Sequence, residues 1–233
     1  MRRFWKGLLV TLLALPVLFA ALAWYTLTPK EMNLPLPEGL ISAESAEGRA
    51  LLASAEYTAD FDVLDRAYEP QKYMSFCGVA SSVTLLKAFG RQNTQSNFFT
   101  DATSEVRSRF EVTFGGMTLE QLDGLLQAHG VETQSIHGDD LTLEELRSII
   151  TRNLAAKDDF LLVNYQREAL GQGRSGHISP LAAYDSSSDR ALIMDTADFK
   201  YPYTWVPLDQ LHGALLEIDA ASGRPRGILE ARL

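Results

Sequence analysis

The sequence predicts an α+β domain whose helices come first and whose antiparallel sheet comes later. Thr118 and Thr142 each begin a capping box, with a glutamine or a glutamate three residues on, and an apolar helical pattern follows each box. From residue 160 the apolar period changes, and residues 160–165, 177–184 and 190–195 are short β-type runs separated by turn residues. Helices followed by strands are typical of an α+β fold with an antiparallel sheet.

The predicted helices begin and end at local signals. Helical spacing predicts the first helix over residues 45–53, and an apolar run predicts a central helix over 77–89 that Gly90 ends. The two capping boxes place further helices over 122–128 and 146–154. All of these helices precede the first predicted strand.

The composition indicates an ordinary globular protein and excludes two classes of partner. Charged residues make up 22% and hydrophobic residues 46% of the chain, which is typical of a globular enzyme. The formal net charge is −9. Because an acidic chain repels polyanions, we expect neither nucleic acid nor anionic lipid as a partner.

The only cysteine in the sequence, Cys77, lies where a helix is predicted to begin. One cysteine can form neither an internal disulfide nor a cysteine-based zinc cluster. Gly78 follows it and an apolar run begins at Val79, so the thiol is expected at a helix N-terminus. There the backbone N–H groups and the helix dipole favour the thiolate over the thiol. The residue is therefore either a nucleophile or a buried core thiol.

Two later segments supply the partners that a cysteine nucleophile needs. His177 lies in the run Gly-His-Ile-Ser-Pro at residues 176–180, and Asp195 ends a β-type run. Cysteine, histidine and aspartate in that chain order match the papain-type arrangement, in which the imidazole moves the proton and the acid orients the ring. Asp198, in the following turn, is the second candidate for the acid.

Two further features are expected in the same cleft. Gln71 precedes the cysteine by six residues, as a papain-type oxyanion-hole side chain does, and its amide N–H groups are expected to face the developing oxyanion. The loop at residues 171–176 matches the G-x-G-x-x-G pattern of dinucleotide-binding proteins. That pattern binds a dinucleotide only where a helix follows directly, and here a strand is predicted instead. We interpret Gly176 as part of a cleft wall, where backbone comes close to a ligand.

These segments resemble the phytochelatin synthase family, in particular its short bacterial members. The likeness is carried by residues 71–82, 176–184 and 193–205, and residues 45–54 resemble the family's N-terminal helix. Its most specific parts are Phe-Cys-Gly-Val-Ala-Ser around Cys77 and the Gly-His-Ile-Ser-Pro run. The resemblance implies a papain-like cysteine protease fold, with the nucleophile on a helical half and the histidine and the aspartate on an antiparallel sheet half.

The resemblance also implies the role of each site residue and the substrate. It assigns the nucleophile to Cys77, the two triad partners to His177 and Asp195, and the oxyanion hole to Gln71. Phytochelatin synthases act on glutathione: they release glycine, hold γ-Glu-Cys as a thioester, and pass it to a second glutathione or to water.

Recognition of the γ-Glu head is expected near the C-terminus. That head carries one α-ammonium and one α-carboxylate, which suit an acid and an arginine. The family places such residues at positions that correspond to Asp219 and Arg226. A solvated turn is the alternative interpretation of this segment.

Several functional alternatives stay open. Eukaryotic family members add a cysteine-rich C-terminal region linked to the metal response, and this sequence has none, so we expect hydrolysis of glutathione to exceed polymer formation. We predict no metal site and no bound cofactor; stimulation by Cd²⁺ or Zn²⁺, as metal–glutathione thiolates, is left open. The rival functions are a papain-like peptidase for another secreted or cell-envelope peptide and a non-catalytic thiol-peptide-binding protein. The sequence does not indicate which oligomeric state the protein adopts.

The first 30 residues predict a signal anchor. Three basic residues precede an uncharged apolar run over residues 7–29, which is long enough to cross a hydrocarbon core. Basic residues before such a run keep the N-terminus in the cytoplasm. We therefore expect a single-pass protein of the bacterial inner membrane, with a linker over 31–44 and a periplasmic catalytic domain over 45–233. The alternative is a signal peptide cleaved at residues 21–23, which would leave the domain free in the periplasm.

Overall fold

The computed structural model describes residues 18, 21, 22 and 24–233. The apolar run predicted to cross a membrane, residues 7–29, lies mostly outside this part of the chain, and residues 24–27 within it are helical. Among the described residues, no helix combines the length and the apolarity that a bilayer crossing requires. The signal anchor stays a prediction.

Helices predominate between residues 46 and 155, and in the described chain a further helix follows the central strands. Both predicted capping boxes form, because Thr118 and Thr142 each exchange hydrogen bonds with the residue three positions on. The helices are α1 (Ala46–Ser54), α2 (Phe61–Ala67), α3 (Cys77–Ala88), α4 (Asp101–Val106), α5 (Arg109–Gly115), α6 (Leu119–Ala128), α7 (Leu143–Ala155) and α8 (Leu208–Leu216).

A seven-stranded sheet forms the second part of the fold. Its strand order is β1-β6-β5-β4-β3-β9-β2, and every neighbouring pair is antiparallel. A separate two-stranded ladder pairs β7 with β8. The strands are β1 (Ile41–Ser42), β2 (Glu132–His137), β3 (Asp159–Gln166), β4 (Gly176–Asp185), β5 (Arg190–Ile193), β6 (Thr204–Pro207), β7 (Ile218–Asp219), β8 (Arg224–Pro225) and β9 (Gly227–Arg232). The predicted order, a helical region followed by an antiparallel sheet, is confirmed.

Apolar cores lie on both faces of the sheet. Alternate residues of β3 point to opposite faces, so Leu162 packs in the core that contains α3 and α6, while Leu161 and Val163 pack in the core that contains α7 and α8. A strand buried on both faces has a continuous apolar sequence, which explains why β3 was recognisable from the sequence.

The contact between α3 and β4 positions the cysteine beside the histidine. Ser81 Oγ, on the buried side of α3, donates to the carbonyl oxygen of Ile178 at 3.0 Å. Gly78 allows the helix to come close, since a Cβ at this position would lie 2.5 Å from Met117 Sδ and 3.1 Å from Ile178 Cδ1. The helix N-terminus and the first residues of β4 therefore lie side by side.

Asp60, which precedes α2, is a fully buried carboxyl group. Neither of its side-chain oxygens has a hydrogen-bond partner in the described part of the chain. Burial, followed by the charges of Asp159 and Asp158, raises the pKa of Asp60 to about 8. The folded protein therefore holds this group in its neutral form at and below neutral pH.

Candidate active site

Cys77 is the first residue of α3 and its thiol is half-buried. Burial alone would raise the pKa of the thiol, but a hydrogen bond and the charge of His177 act against burial. Backbone N–H groups of Ile178 and Gly78 act in the same direction as His177, and the net effect lowers the pKa of Cys77 below its ordinary value. A thiol in this environment ionises more readily than a free one.

His177 is the second residue of β4 and is 5% exposed. Its Nε2 lies 2.9 Å from Asp195 Oδ1. The angle of this contact falls short of a straight hydrogen bond, so we describe it as a close ion-pair geometry. With Nε2 facing the acid, Nδ1 is the ring nitrogen left to exchange a proton with Cys77. The ring also packs edge-on against Tyr165, with 5.7 Å between centroids.

The carboxylate of Asp195 is 2% exposed and is held from several directions. Arg167 Nη2 donates to Oδ1 at 2.7 Å and also lies 2.7 Å from Oδ2, and the backbone N–H of Ala197 donates to Oδ1 at 2.9 Å. Burial would raise the pKa of Asp195, but the charges of His177 and Arg167 lower it well below the ordinary range. The acid is therefore ionised, as an imidazolium partner requires.

Arg167 was not among the residues predicted from the sequence. It is 1% exposed, and its Nη1 donates to Gln172 Oε1 at 2.7 Å. A buried guanidinium needs such partners, because an unpaired charge in the interior is costly. Its carboxylate partner is 28 residues further along the chain, so no local pattern distinguishes it from a surface arginine. We call Cys77, His177, Asp195 and Arg167 the catalytic cluster.

Gln71 lines the same cleft as Cys77 and is 5% exposed. Its Nε2 donates to the carbonyl oxygens of Tyr73 and Met74, both at 3.0 Å. These two bonds use both N–H groups of the amide, while Oε1 has no partner among the described residues. An oxyanion contact from this side chain would require the amide to release one carbonyl, so the oxyanion role of Gln71 stays a prediction.

A second set of polar residues, which we call the Arg226 cluster, borders the catalytic cluster. Arg226 Nη1 donates to Asn164 Oδ1 at 2.8 Å and lies 3.5 Å from Asp219 Oδ2. Arg226 Nε and Asn164 Nδ2 are buried and have no partner in the described chain. Gly176 completes the cluster: a Cβ here would lie 2.4 Å from Arg226 Nη1. Asn164 was not predicted, whereas the other three residues were.

One cleft of about 420 Å³ joins the two clusters. Its lining includes Cys77, His177, Asp219 and Arg226. A larger cavity, of about 880 Å³, lies elsewhere between α7 and strands β2 and β9, and none of the residues of either cluster lines it. We therefore take the smaller cleft as the candidate active site, since it contains Cys77 and His177, the predicted nucleophile and base.

The remaining candidates for site chemistry lie apart from the two clusters. Asp198, the second candidate for the acid, lines a different cleft together with Tyr68 and Tyr203. In the described residues, no group of three or more histidine, cysteine, aspartate or glutamate side chains is arranged to hold a metal ion. The described geometry therefore brings Asp195, and not Asp198, to His177.

Residues 31–228 match the family model described as phytochelatin synthase. The curated protein named glutathione gamma-glutamylcysteinyltransferase 1 of Triticum aestivum is 32% identical over 205 residues, which are 84% of this chain and 41% of that protein. The protein named glutathione gamma-glutamylcysteinyltransferase of Schizosaccharomyces pombe is 33% identical over 121 residues, which are 52% of this chain and 29% of that protein.

Among solved structures, the chain is similar to the peptidase domain of Streptococcus ComA, described as a bi-functional ABC transporter involved in a quorum-sensing pathway. The TM-score is 0.44 at 16% identity, and the match covers 70% of this chain and 95% of that one. The chain spans less than half the length of the curated relatives above. Because the family model covers most of the sequence, the chain belongs to the phytochelatin synthase family.

Proposed function

We propose that the protein cleaves glutathione, releases glycine and carries γ-Glu-Cys as a thioester on Cys77. The observation that carries this proposal is the single cleft in which Cys77 and His177 lie together with Asp219 and Arg226. The names of the relatives, which are gamma-glutamylcysteinyltransferases of glutathione, support the same substrate.

The first half of the reaction forms the thioester. His177 takes the proton of the thiol, and the sulfur attacks the carbonyl carbon of the Cys–Gly peptide bond. The first-turn N–H groups of α3 have no acceptor within the helix, so they can donate to the oxyanion. The C–N bond then breaks, and His177 returns its proton to the amine of the departing glycine. Asp195 stays ionised throughout and stabilises the imidazolium.

The second half of the reaction removes the γ-Glu-Cys group from the sulfur. With His177 as general base, either water or the α-amine of a second glutathione attacks the thioester carbonyl, and the thiolate leaves. Water gives free γ-Glu-Cys, whereas glutathione gives the longer peptide (γ-Glu-Cys)₂-Gly. We propose hydrolysis as the main outcome.

Recognition of the γ-Glu head is proposed for the Arg226 cluster. The α-carboxylate of the substrate would accept hydrogen bonds from Arg226 Nε and Asn164 Nδ2, the two buried donors that lack partners within the described chain. The α-ammonium would lie against the Asp219 carboxylate, which already faces Arg226. Such a site matches both charges of the head group and leaves no buried donor unsatisfied.

The experiment that tests the proposal is product analysis with two isomeric substrates. The full chain is incubated with glutathione, and separately with the α-linked tripeptide Glu-Cys-Gly, each with and without Cd²⁺ or Zn²⁺, and the products are identified by mass spectrometry. We expect glycine and γ-Glu-Cys from glutathione and much slower cleavage of the α-linked isomer. The Cys77→Ala variant is the control for thiol chemistry.

Three outcomes decide between the functions. Equal cleavage of the two isomers would support a general peptidase, because such an enzyme does not read the γ-linkage. No turnover of either peptide by a folded chain would support a non-catalytic thiol-peptide-binding protein. A dominant (γ-Glu-Cys)₂-Gly product would be consistent with the thioester intermediate but would show that transfer to glutathione exceeds hydrolysis, which would overturn that part of the proposal.

A further inference from the structure

Exposed apolar side chains border the mouth of the active-site cleft. Phe110 and Phe114 lie one turn apart on α5, with 4.8 Å between their ring centroids, and are 72% and 58% exposed. Met74 is 39% exposed. Phe114 and Met74 also line the cleft that contains Cys77. We call Met74, Phe110 and Phe114 the apolar rim; it begins inside the cleft and continues onto the surface.

The last residues of the N-terminal apolar run lie directly against this rim. The backbone N–H of Met74 donates to the carbonyl oxygen of Leu27 at 2.9 Å. Trp24 and Tyr25, on the preceding helical turn, are 66% and 63% exposed. On the other side of Met74, Ser75 Oγ donates to the carbonyl oxygen of Thr113 in α5 at 2.7 Å. These two hydrogen bonds, made by the adjacent residues Met74 and Ser75, connect the end of the apolar run to the helix that carries the two phenylalanines.

The next residues of the chain are hydrogen-bonded to the loop that carries Lys200. The N–H groups of Met32 and Leu34 donate to the carbonyl oxygens of Phe199 and Lys200 at 2.8 and 2.9 Å. Lys200 lines the cleft. Residues 27–34 are therefore hydrogen-bonded to the domain at both ends of this segment. Because the segment cannot swing freely, the position of the apolar run determines which face of the domain lies next to that run.

We propose that the apolar rim rests in the interfacial layer of the lipid bilayer that residues 7–29 are predicted to cross, so that the active-site cleft opens along the membrane surface. Contiguous exposed apolar side chains on a protein surface mark interaction sites. Tryptophan and tyrosine at the end of an apolar run are typical of the membrane–water interface, and exposed phenylalanines can insert at the boundary of the acyl chains. Arg109 and Glu111, on either side of Phe110, are both exposed, so the charges beside the rim offset each other.

The bilayer fits this surface better than other occupants, because the apolar run ends at the rim itself. A second copy of the chain, or residues 1–17 of the same chain folded back, could also cover the phenylalanines, and the experiment distinguishes them. Since the net charge of the chain is −9, the interaction is expected to rest on apolar insertion, and neutral lipids are the appropriate probe. The proposal concerns the orientation of the domain and holds whichever peptide is cleaved.

The test places a single fluorescent reporter on the rim of the full chain. Trp5 and Trp24 are replaced by phenylalanine, while the fully buried Trp205 stays as a constant background. Phe110→Trp introduces the reporter, and the protein is reconstituted into phosphatidylcholine vesicles with or without bromine on the acyl chains. Leu216→Trp is the matched control: Leu216 is also exposed, at 43%, but it lies on α8, which packs on the opposite face of the sheet.

We expect brominated lipid to quench the reporter of Phe110→Trp at least twofold more than that of Leu216→Trp. If Phe110→Trp does not fold, Phe114→Trp serves as the rim reporter in its place. Equal quenching at the two positions overturns the proposal. A blue-shifted rim reporter that bromine does not quench also overturns it: dependence of the shift on protein density would assign the rim to a second copy, and independence would assign it to residues 1–17.

Discussion

The two clusters that share the cleft differ in how completely their polar groups are satisfied. In the catalytic cluster the Asp195 carboxylate is contacted by Arg167 at 2.7 Å, by His177 at 2.9 Å and by a backbone N–H at 2.9 Å. In the Arg226 cluster, Arg226 Nε and Asn164 Nδ2 have no partner within the described residues. The carboxylate of the first cluster is therefore contacted from every side within the described chain, with only the angle of the His177 contact short of a straight hydrogen bond, whereas the second cluster has two buried donors without a partner.

This difference indicates separate tasks. Chemistry requires an acid and a base that hold their geometry before the substrate arrives, which a satisfied network provides. Recognition requires donors that gain partners only when the correct ligand binds, since unsatisfied donors then discriminate strongly against ligands that leave them unpaired. Substitutions in the first cluster should therefore affect reactivity or folding, and substitutions in the second should affect discrimination.

Removal of the nucleophile should have the largest effect. Cys77→Ala should lower glycine release from glutathione by about 10³-fold or more, because the remaining groups cannot form the thioester. Glycine release is measured by amino-acid analysis, and the urea unfolding midpoint serves as the control for folding. Turnover that persists in a folded Cys77→Ala protein would remove the catalytic cluster from the mechanism.

Arg167→Met should destabilise the fold, because it leaves the buried Asp195 carboxylate without its guanidinium. Removing one partner of a buried pair costs about 3–5 kcal/mol, which urea unfolding would measure as a loss in the free energy of unfolding. Arg174→Met is the matched control, since the Arg174 side chain is 86% exposed and its ion-pair partner in the described part of the chain is the exposed Glu168. An equal loss in both variants would contradict the role of Arg167 in the buried pair.

Arg226→Ala should act on discrimination and leave the thiol intact. We expect a loss of about 2–5 kcal/mol in kcat/KM for glutathione, as for one partner of a buried charge pair, while iodoacetamide still alkylates Cys77 at the wild-type rate. Arg226→Lys should recover only part of the loss, because the single ammonium group of lysine cannot make the two parallel hydrogen bonds that a guanidinium makes to a carboxylate. Arg224→Ala, a more exposed arginine two residues away, should have little effect, and unchanged kcat/KM in Arg226→Ala would move the γ-Glu site elsewhere.

A smaller effect is expected from one added methyl group. Gly176→Ala would place Cβ 2.4 Å from Arg226 Nη1, so the guanidinium must move, and such overpacking costs about 1–3 kcal/mol. We expect this as a rise in KM for glutathione with a smaller change in kcat. Gly173→Ala in the same loop is the control, because a Cβ there has nothing within 4 Å. Identical kinetics for the two variants would show that the position of the Arg226 guanidinium does not affect the binding of glutathione.

The pH profile of alkylation should report the link between the cysteine and the histidine. Because His177 lowers the pKa of Cys77, the rate of reaction with iodoacetamide should reach half its maximum at a lower pH than for an unstructured cysteine peptide. His177→Ala removes this influence, so its midpoint should move to higher pH. A wild-type midpoint equal to that of the peptide would contradict the thiolate pairing.

The sequence was informative where the determining interactions are local. The capping boxes at Thr118 and Thr142 and the apolar β3 strand are set by neighbours within a few residues. Strand β2 was not predicted, because an edge strand with polar residues such as Glu132 and Gln134 has no apolar alternation. Strand β9 was also missed: its partners in β2 and β3 lie far back along the chain, and nothing local distinguishes it from a solvated C-terminal segment.

The same distinction applies to the site. Cys77 and His177 stand in motifs that can be recognised in a short window, so they could be predicted. Arg167 and Asn164 matter because the fold brings them to Asp195 and Arg226, over separations of 28 and 62 residues. A lone arginine or asparagine has no sequence signature for such a contact, and only the pairing of β3 with β4 and β9 creates it.

Asp60 gives the protein a second dependence on pH that runs against the first. Its pKa in the folded protein is about 8, whereas an unfolded chain would release that proton near pH ~4. Between these values the folded state holds one proton more than the unfolded state, so the proton acts as a stabilising ligand and stability falls as the pH rises. The thiolate fraction of Cys77 also increases as the pH rises. A rise in pH therefore favours the reactive thiolate and at the same time lowers the stability of the fold that presents it.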